Sequence, residues 1–65
     1  MMPGVSFYVL VDKDGNVLEE TDMITGYSET MKFDSWEEAE ESLRYLLDEE
    51  LIDHTKNWHI ERHRW

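Results

Sequence analysis

The chain has 65 residues and a formal net charge of −10, from 16 acidic and 6 basic side chains. This length allows a single domain, residues 1–65, with a small core. The acidity argues against direct nucleic-acid binding, because phosphate contacts need a face of Lys and Arg. The chain has no cysteine, so disulfides and thiolate–metal sites are excluded.

Eight aromatic side chains, namely three Trp, three Tyr and two Phe, predict a folded domain rather than a disordered acidic tail. No apolar run is long enough to span a bilayer, and the start of the chain lacks the basic region of a signal peptide. We therefore expect a cytoplasmic protein with no membrane partner.

The first predicted element is a strand over residues 5–11, which is rich in β-branched and aromatic side chains. Alternation along this strand assigns one set of side chains to the core face: Val5, Phe7, Val9 and Val11. The other face carries Ser6, Tyr8 and Leu10.

Residues 12–16 contain Asp-Gly between two apolar runs, which predicts a hairpin turn into a second strand over residues 17–21. The acidic turn does not fit a calcium loop. A loop beginning at Asp12 would need Gly sixth and Glu twelfth, where this chain has Val17 and Met23.

A connection over residues 22–26 leads to a third predicted strand over residues 27–33. Alternation places Tyr27, Met31 and Phe33 on one face of this strand.

Residues 34–50 predict an amphipathic helix. Ser35 and Glu38 form a capping-box pattern at its start, with Asp34 as the alternative cap. The apolar side chains fall on one stripe: Trp36, Ala39, Leu43, Leu46 and Leu47. The expected core partners of this stripe are Phe7, Val9, Met31 and Phe33. We expect the helix to end near Glu50.

After the helix, Leu51 and Ile52 are expected to cover the core, and a polar connection over residues 53–57 leads to a fourth strand over residues 58–65. Trp58 and Ile60 should face the helix. The fold class is therefore α+β: a small, three- to four-stranded, mainly antiparallel sheet (β-β-β-α-β) with the helix on one face. The first strand should be central, and the crossover should make the third and fourth strands parallel.

The outer side of the helix is the first candidate site. Residues 34–53 carry nine acids and one base, Arg44. Like charges spaced at i,i+4 destabilise an isolated helix, so this pattern is not the most stable choice. The predicted partner-binding residues are Glu37, Glu38, Glu41, Tyr45, Asp48 and Glu49. Their expected partner is a basic protein surface, such as the groove of a nucleic-acid-binding enzyme; the alternative is a face that only confers solubility.

The back of the sheet is the second candidate. If no element covers it, one face would present these residues: Tyr8, Leu10, His59, His63 and Trp65. An exposed aromatic and apolar face would favour target binding or a homodimer. In the alternative, residues 23–26 cover Leu10 and Trp65.

The histidines near the end of the chain raise the question of metal binding. His59, Glu61 and His63 alternate along the fourth strand, with neighbours about 7 Å apart. A catalytic zinc site needs three protein ligands, which this spacing does not supply, so we predict no metal. The nearby basic residues Lys56, Arg62 and Arg64 are expected to pair with the protein's own carboxylates; in the alternative, they contact the acidic helix of a neighbouring copy and give a head-to-tail or two-fold assembly.

No nucleophile–base pair, phosphate loop or cofactor motif is present in the sequence, so we predict neither enzyme activity nor a cofactor. The predicted function is that of a small acidic protein-binding module, an inhibitor or adaptor of the type that phages and mobile elements encode. Its acidic helix would mimic nucleic acid on a basic target surface. The alternative is an oligomerising structural or accessory subunit that uses the uncovered sheet face.

Overall fold

The computed structural model describes residues 6–64, which form one α-helix, one short 3₁₀ helix and four strands. In chain order these are β1 Ser6–Val11, β2 Glu19–Thr21, β3 Ser28–Thr30, α1 Trp36–Asp48, the 3₁₀ helix His54–Lys56 and β4 His59–Arg64. The prediction of an α+β fold with one helix is confirmed. The strands form two antiparallel pairs, β1 with β4 and β2 with β3, rather than the single sheet that we expected.

β1 is the central strand of the molecule. It pairs with β4 along its whole length, from Ser6 opposite Arg64 to Val11 opposite His59. Its other edge meets two separate points of the chain, through isolated antiparallel bridges from Val11 to Val17 and from Tyr8 to Phe33. An interrupted strand therefore lies along that edge.

The interruption contains β2 and β3, which form a protruding hairpin. The N–H of Leu18 donates to the carbonyl of Leu10 (2.8 Å), and the N–H of Met31 donates to the carbonyl of Leu18 (3.1 Å), which closes the base of the hairpin. We call residues 19–30 the hairpin arm. Every residue from 19 to 29 is exposed. The arm stands away from β1 because its strands are polar on both faces and have no apolar side to bury.

The helix lies on the face of β1 that carries Tyr8 and Leu10. Tyr8 and Phe33 exchange both backbone hydrogen bonds at 2.9 Å, so their side chains share a face. Phe33 and Met31 in turn line one groove with residues of α1. A right-handed crossover from Phe33 through α1 to β4 gives the same placement.

The predicted helix-facing side of β1 was therefore wrong. Phe7, Val9 and Val11 lie on the face away from α1, where they are buried with Val17 packed against them. Leu10, on the helix side, is also fully buried. Alternation could not decide between the faces, since β1 carries large side chains on both, including Tyr8 and Leu10 on the helix side. Val5 lies outside the described residues.

The start of α1 agrees with the sequence. Ser35 is the N-cap, and its Oγ accepts a hydrogen bond from the N–H of Glu38 at 3.2 Å. Of the predicted apolar stripe, Ala39 is fully buried, while Leu43, Leu46 and Leu47 are half-buried. Trp36, which we expected in the core, is 45% exposed and is the first residue of the helix.

The end of α1 is closed by a Schellman motif. The N–H of Leu51 donates to the carbonyl of Leu46 (2.9 Å), and that of Glu50 donates to Leu47 (3.1 Å). This motif needs a left-handed residue, and Glu50 adopts φ +56°. Leu51 projects outward from it and is 61% exposed, so the expectation that it covers the core was wrong.

The turn after β1 is held by Asp12, which is only 4% exposed. Its Oδ1 accepts the N–H groups of Asp14 and Asn16, both at 2.9 Å. Gly15 supplies the positive φ, +86°, that the turn requires. The hydrogen bond from Asn16 is the main cause that holds the pKa of Asp12 below its ordinary value, so the carboxylate is a structural part of the turn.

Candidate functional site

The predicted binding residues of α1 lie together on one exposed side. We call them the acidic face: Glu37, Glu38, Glu41, Tyr45, Asp48 and Glu49. All six are exposed, and helical geometry puts them within an arc of about 120°. Tyr45 is 59% exposed in the middle of the carboxylates. Glu49 is the C-cap residue, so the acidic face extends to the end of the helix.

The carboxylates of the acidic face have no cationic partner within residues 6–64. The ion pair of α1 joins Glu40 to Arg44 at 3.8 Å, and neither residue belongs to the acidic face. Both side chains of that pair are well exposed, so it contributes little to stability. The charge of the acidic face is thus available to a partner molecule.

The position of these acids is also unfavourable for the helix itself. Glu37 and Glu38 suit the positive N-terminal end of the dipole, but Asp48 lies in the last turn, where no basic residue is present. The negative charges of Asp48 and Glu49 are therefore repelled by the negative end of the helix dipole. Helix stability does not account for their placement.

A groove of about 440 Å³ lies beside the acidic face, between α1 and the base of the hairpin arm. Its lining residues are Glu20, Met31, Lys32, Phe33, Glu38, Ser42, Tyr45 and Leu46. Glu38 and Tyr45 belong to both the acidic face and the groove. Met31, Phe33 and Leu46 supply apolar surface, while the charged lining residues are two carboxylates, Glu20 and Glu38, and one cation, Lys32.

The structure does not bring the residues of the second predicted interface onto one face. The β1–β4 register sets Tyr8 opposite Arg62 and Leu10 opposite Ile60, so these residues share the helix side. Leu10 is fully buried there. The prediction of one uncovered face shared by Tyr8, Leu10 and the histidines was therefore wrong; Trp65 lies outside the described residues.

The histidines form a row on the opposite face, beside the buried residues of β1. Glu61 lies between them, with Oε2 2.7 Å from Nε2 of His59 and Oε1 3.0 Å from Nε2 of His63. The bond from His63, and then that from His59, holds the pKa of Glu61 below its ordinary value. The His63 ring packs edge-on against Phe7, with centroids 6.0 Å apart.

Within residues 6–64, no group of three or more His, Asp or Glu residues is arranged to hold a metal ion. The contacts of the histidine row are with the carboxylate between the two rings and with the Phe7 ring. These contacts explain the positions of His59, Glu61 and His63 by structural pairing along the strand.

Sequence analysis missed the tip of the hairpin arm. Met23 is 96% exposed, Ile24 is 95% exposed and Tyr27 is 75% exposed. The sequence pattern predicts only a connection over residues 22–26. The available signal was the turn-forming pair Asp22 and Gly26, which encloses the adjacent apolar residues Met23 and Ile24.

The described residues contain no helix that is both long and apolar enough to cross a membrane. The chain matches no protein-family model, and no curated protein or solved structure is significantly similar to it.

Proposed function

We propose that this chain is a small acidic protein-binding module that docks the acidic face of α1 on a basic, nucleic-acid-binding surface of a target protein. It would act as an inhibitor or adaptor of the type that phages and mobile elements encode. The observation that carries this proposal is the acidic face itself, with its exposed carboxylates and no cationic partner within residues 6–64.

The energetics of the helix support a role for these carboxylates outside the fold. Glu37 and Glu41 repel each other at i,i+4, and Asp48 opposes the dipole at the end of the helix. In an exposed helix the repulsion costs about 0.2–0.5 kcal/mol and the dipole term about 0.3–1 kcal/mol, and no ion pair of Glu41 or Asp48 within residues 6–64 offsets these costs. On binding, the positive charges of a basic partner would attract these carboxylates, so their placement would become favourable.

Tyr45 adds an aromatic contact surface to the middle of the acidic face. Tyrosines are enriched among the residues that dominate binding energy at protein interfaces. Tyr45 is ringed by carboxylates and borders the groove that Phe33 and Met31 also line. A Lys or Arg side chain from the target could place its charge at Glu38 and its stem against the Tyr45 ring.

The test is capture of the target with purified protein as bait. The first variant reverses charge on the acidic face: Glu37→Lys, Glu41→Lys and Asp48→Lys. The control variant makes three matched changes at exposed acids elsewhere: Asp14→Lys, Asp34→Lys and Glu50→Lys. Each variant carries a formal net charge of −4 instead of −10, so overall charge is the same in both.

We expect the wild type and the control to recover the same target, and the acidic-face variant to lose it. Circular dichroism should show that all three proteins are equally folded. Recovery of the same partners by both variants would exclude the acidic face as the binding surface.

A further inference from the structure

We propose that the hairpin arm is a second protein-docking element, which inserts Met23 and Ile24 into an apolar pocket bordered by basic side chains on a partner protein. This inference goes beyond the acidic face of α1 and does not depend on it. It starts from the exposure of these two side chains, 96% and 95%, which is close to that of an extended chain.

The tip of the arm contributes nothing to the core. Met23 and Ile24 lie outside the buried cluster, and each residue of the arm from 19 to 29 is exposed. Two adjacent large apolar side chains in water are a feature of interaction sites, whereas scattered single ones need no explanation. Tyr27, on the same arm, is also 75% exposed.

The backbone of the tip is held in one shape. Oδ1 of Asp22 accepts the N–H groups of Ile24 at 2.8 Å and Thr25 at 3.3 Å. The N–H of Gly26, at φ +79°, donates to the carbonyl of Asp22 at 2.7 Å, and Asp22 N–H donates to Tyr27 at 2.8 Å. This turn holds the backbone at Met23 and Ile24 in place before binding, which lowers the entropy cost of docking.

The strands behind the tip are also tied together. Three register pairs join β2 to β3, and the hydroxyls of Thr21 and Ser28 are 2.9 Å apart across the ladder. At the base of the arm, the N–H of Met31 donates a hydrogen bond to the carbonyl of Leu18. These hydrogen bonds hold the arm together as a protruding hairpin, whose tip can enter a concave surface on a partner.

The charge of the arm identifies the chemistry of the partner. Four carboxylates flank the apolar tip, Glu19, Glu20, Asp22 and Glu29, and residues 19–30 contain no basic side chain. An apolar pocket with a rim of Lys or Arg complements both features. A second copy is a poorer occupant, since contact between two tips would bring eight carboxylates together. An anionic lipid surface would repel the arm for the same reason.

The test begins with a photoreactive benzophenone residue in place of Ile24, and in a second protein in place of Asp14, which is also exposed but lies in a different turn. Both proteins are crosslinked in cells of the source organism. The protein captured from position 24 and not from position 14 is then purified. Its binding is titrated against wild type, a Met23→Ser, Ile24→Ser double variant and a Thr25→Ser control.

We expect the double serine variant to bind this partner at least about 100-fold more weakly, because two buried apolar side chains are lost. The Thr25→Ser control keeps the hydroxyl that accepts the N–H of Tyr27 and should bind within about twofold of wild type. Binding of the wild type should weaken as salt is raised. Unchanged melting temperatures would show that neither variant alters the fold.

Three results would overturn the proposal: equal binding by the double serine variant, no protein specific to position 24, or crosslinking of position 24 to a second copy or to lipid. Loss of binding in the acidic-face variant does not bear on the arm, because that variant leaves residues 19–30 unchanged. The two proposals can therefore fail separately.

Discussion

Leu10 shows how one residue decides between two faces of a strand. The sequence placed it on a half-polar, uncovered side, but it is fully buried beneath α1. Its neighbours Val9 and Val11 are buried on the opposite face. A strand with large apolar side chains on both faces gives no clear period-2 signal that could tell which side receives the helix.

Replacing Leu10 with Ala tests this placement. We expect Leu10→Ala to lower the free energy of unfolding by about 2–5 kcal/mol, because the change removes buried methyl groups and leaves a cavity. For a domain this small, that loss would leave much of the chain unfolded. Leu51→Ala is the matched control, since Leu51 is 61% exposed, and should cost less than about 1 kcal/mol. Urea unfolding measures both; equal effects would contradict the burial of Leu10.

At the scale of elements, α1 was predictable and the hairpin arm was not. The N-cap at Ser35 and the burial of Ala39 follow from capping chemistry and helical period. β2 and β3 were correctly expected as strands, although they are shorter than predicted. Their pairing into a separate hairpin depends on tertiary packing, because their polar side chains gain nothing by joining the sheet of β1.

The C-terminal end of α1 carries backbone strain that can be relieved. Glu50 adopts φ +56°, a conformation that glycine takes without steric cost. We expect Glu50→Gly to raise the free energy of unfolding by roughly 0.5–1 kcal/mol. This figure is the relief of strain minus the stability lost because glycine raises the entropy of the unfolded chain. The change also removes an acid near the negative end of the dipole.

The control for this change is Glu41→Gly, in the middle of α1, which should destabilise the protein by about 1 kcal/mol. Thermal or urea unfolding distinguishes the two glycines by the sign of their effects. A lower stability for Glu50→Gly would argue against the Schellman motif at this end of the helix.

At the scale of the whole molecule, three carboxylates link stability to pH. The pKa values of Asp12, Asp53 and Glu61 are lowered by hydrogen bonds, chiefly from Asn16, Thr55 and His63 respectively. A lowered pKa in the folded state means that the unfolded state binds more protons as the solution is acidified. Stability is therefore full above the ordinary values, 3.8 for Asp and 4.5 for Glu, and falls below them.

For Glu61 this predicts a specific pH dependence. Wild type should lose stability as the pH falls below about 4.5, and Glu61→Gln should show a smaller loss over the same range, because its amide does not titrate there. Melting temperatures measured from pH 7 to pH 3 provide the comparison. Glu41→Gln, on the acidic face, is the control for removing one charge. An unchanged pH profile in Glu61→Gln would contradict the His59–Glu61–His63 contacts.

The exposure of the acidic face could be predicted from the sequence. Every residue assigned to the acidic face is exposed in the structure, because helical period and charge together define an outward side. The groove beside it was not predictable, since its walls come from α1 and from the base of the arm, whose relative position depends on the interrupted strand along β1.

Displacement of nucleic acid from a purified target tests the central claim most directly. The target is bound to a fluorescent DNA duplex, or RNA if it prefers RNA, and the protein is added while anisotropy is recorded. Wild type and the Asp14, Asp34 and Glu50 lysine control should displace the duplex, more weakly at higher salt. The Glu37, Glu41 and Asp48 lysine variant should not displace it. A ternary complex of target, duplex and protein, or equal displacement by both variants, would contradict the account.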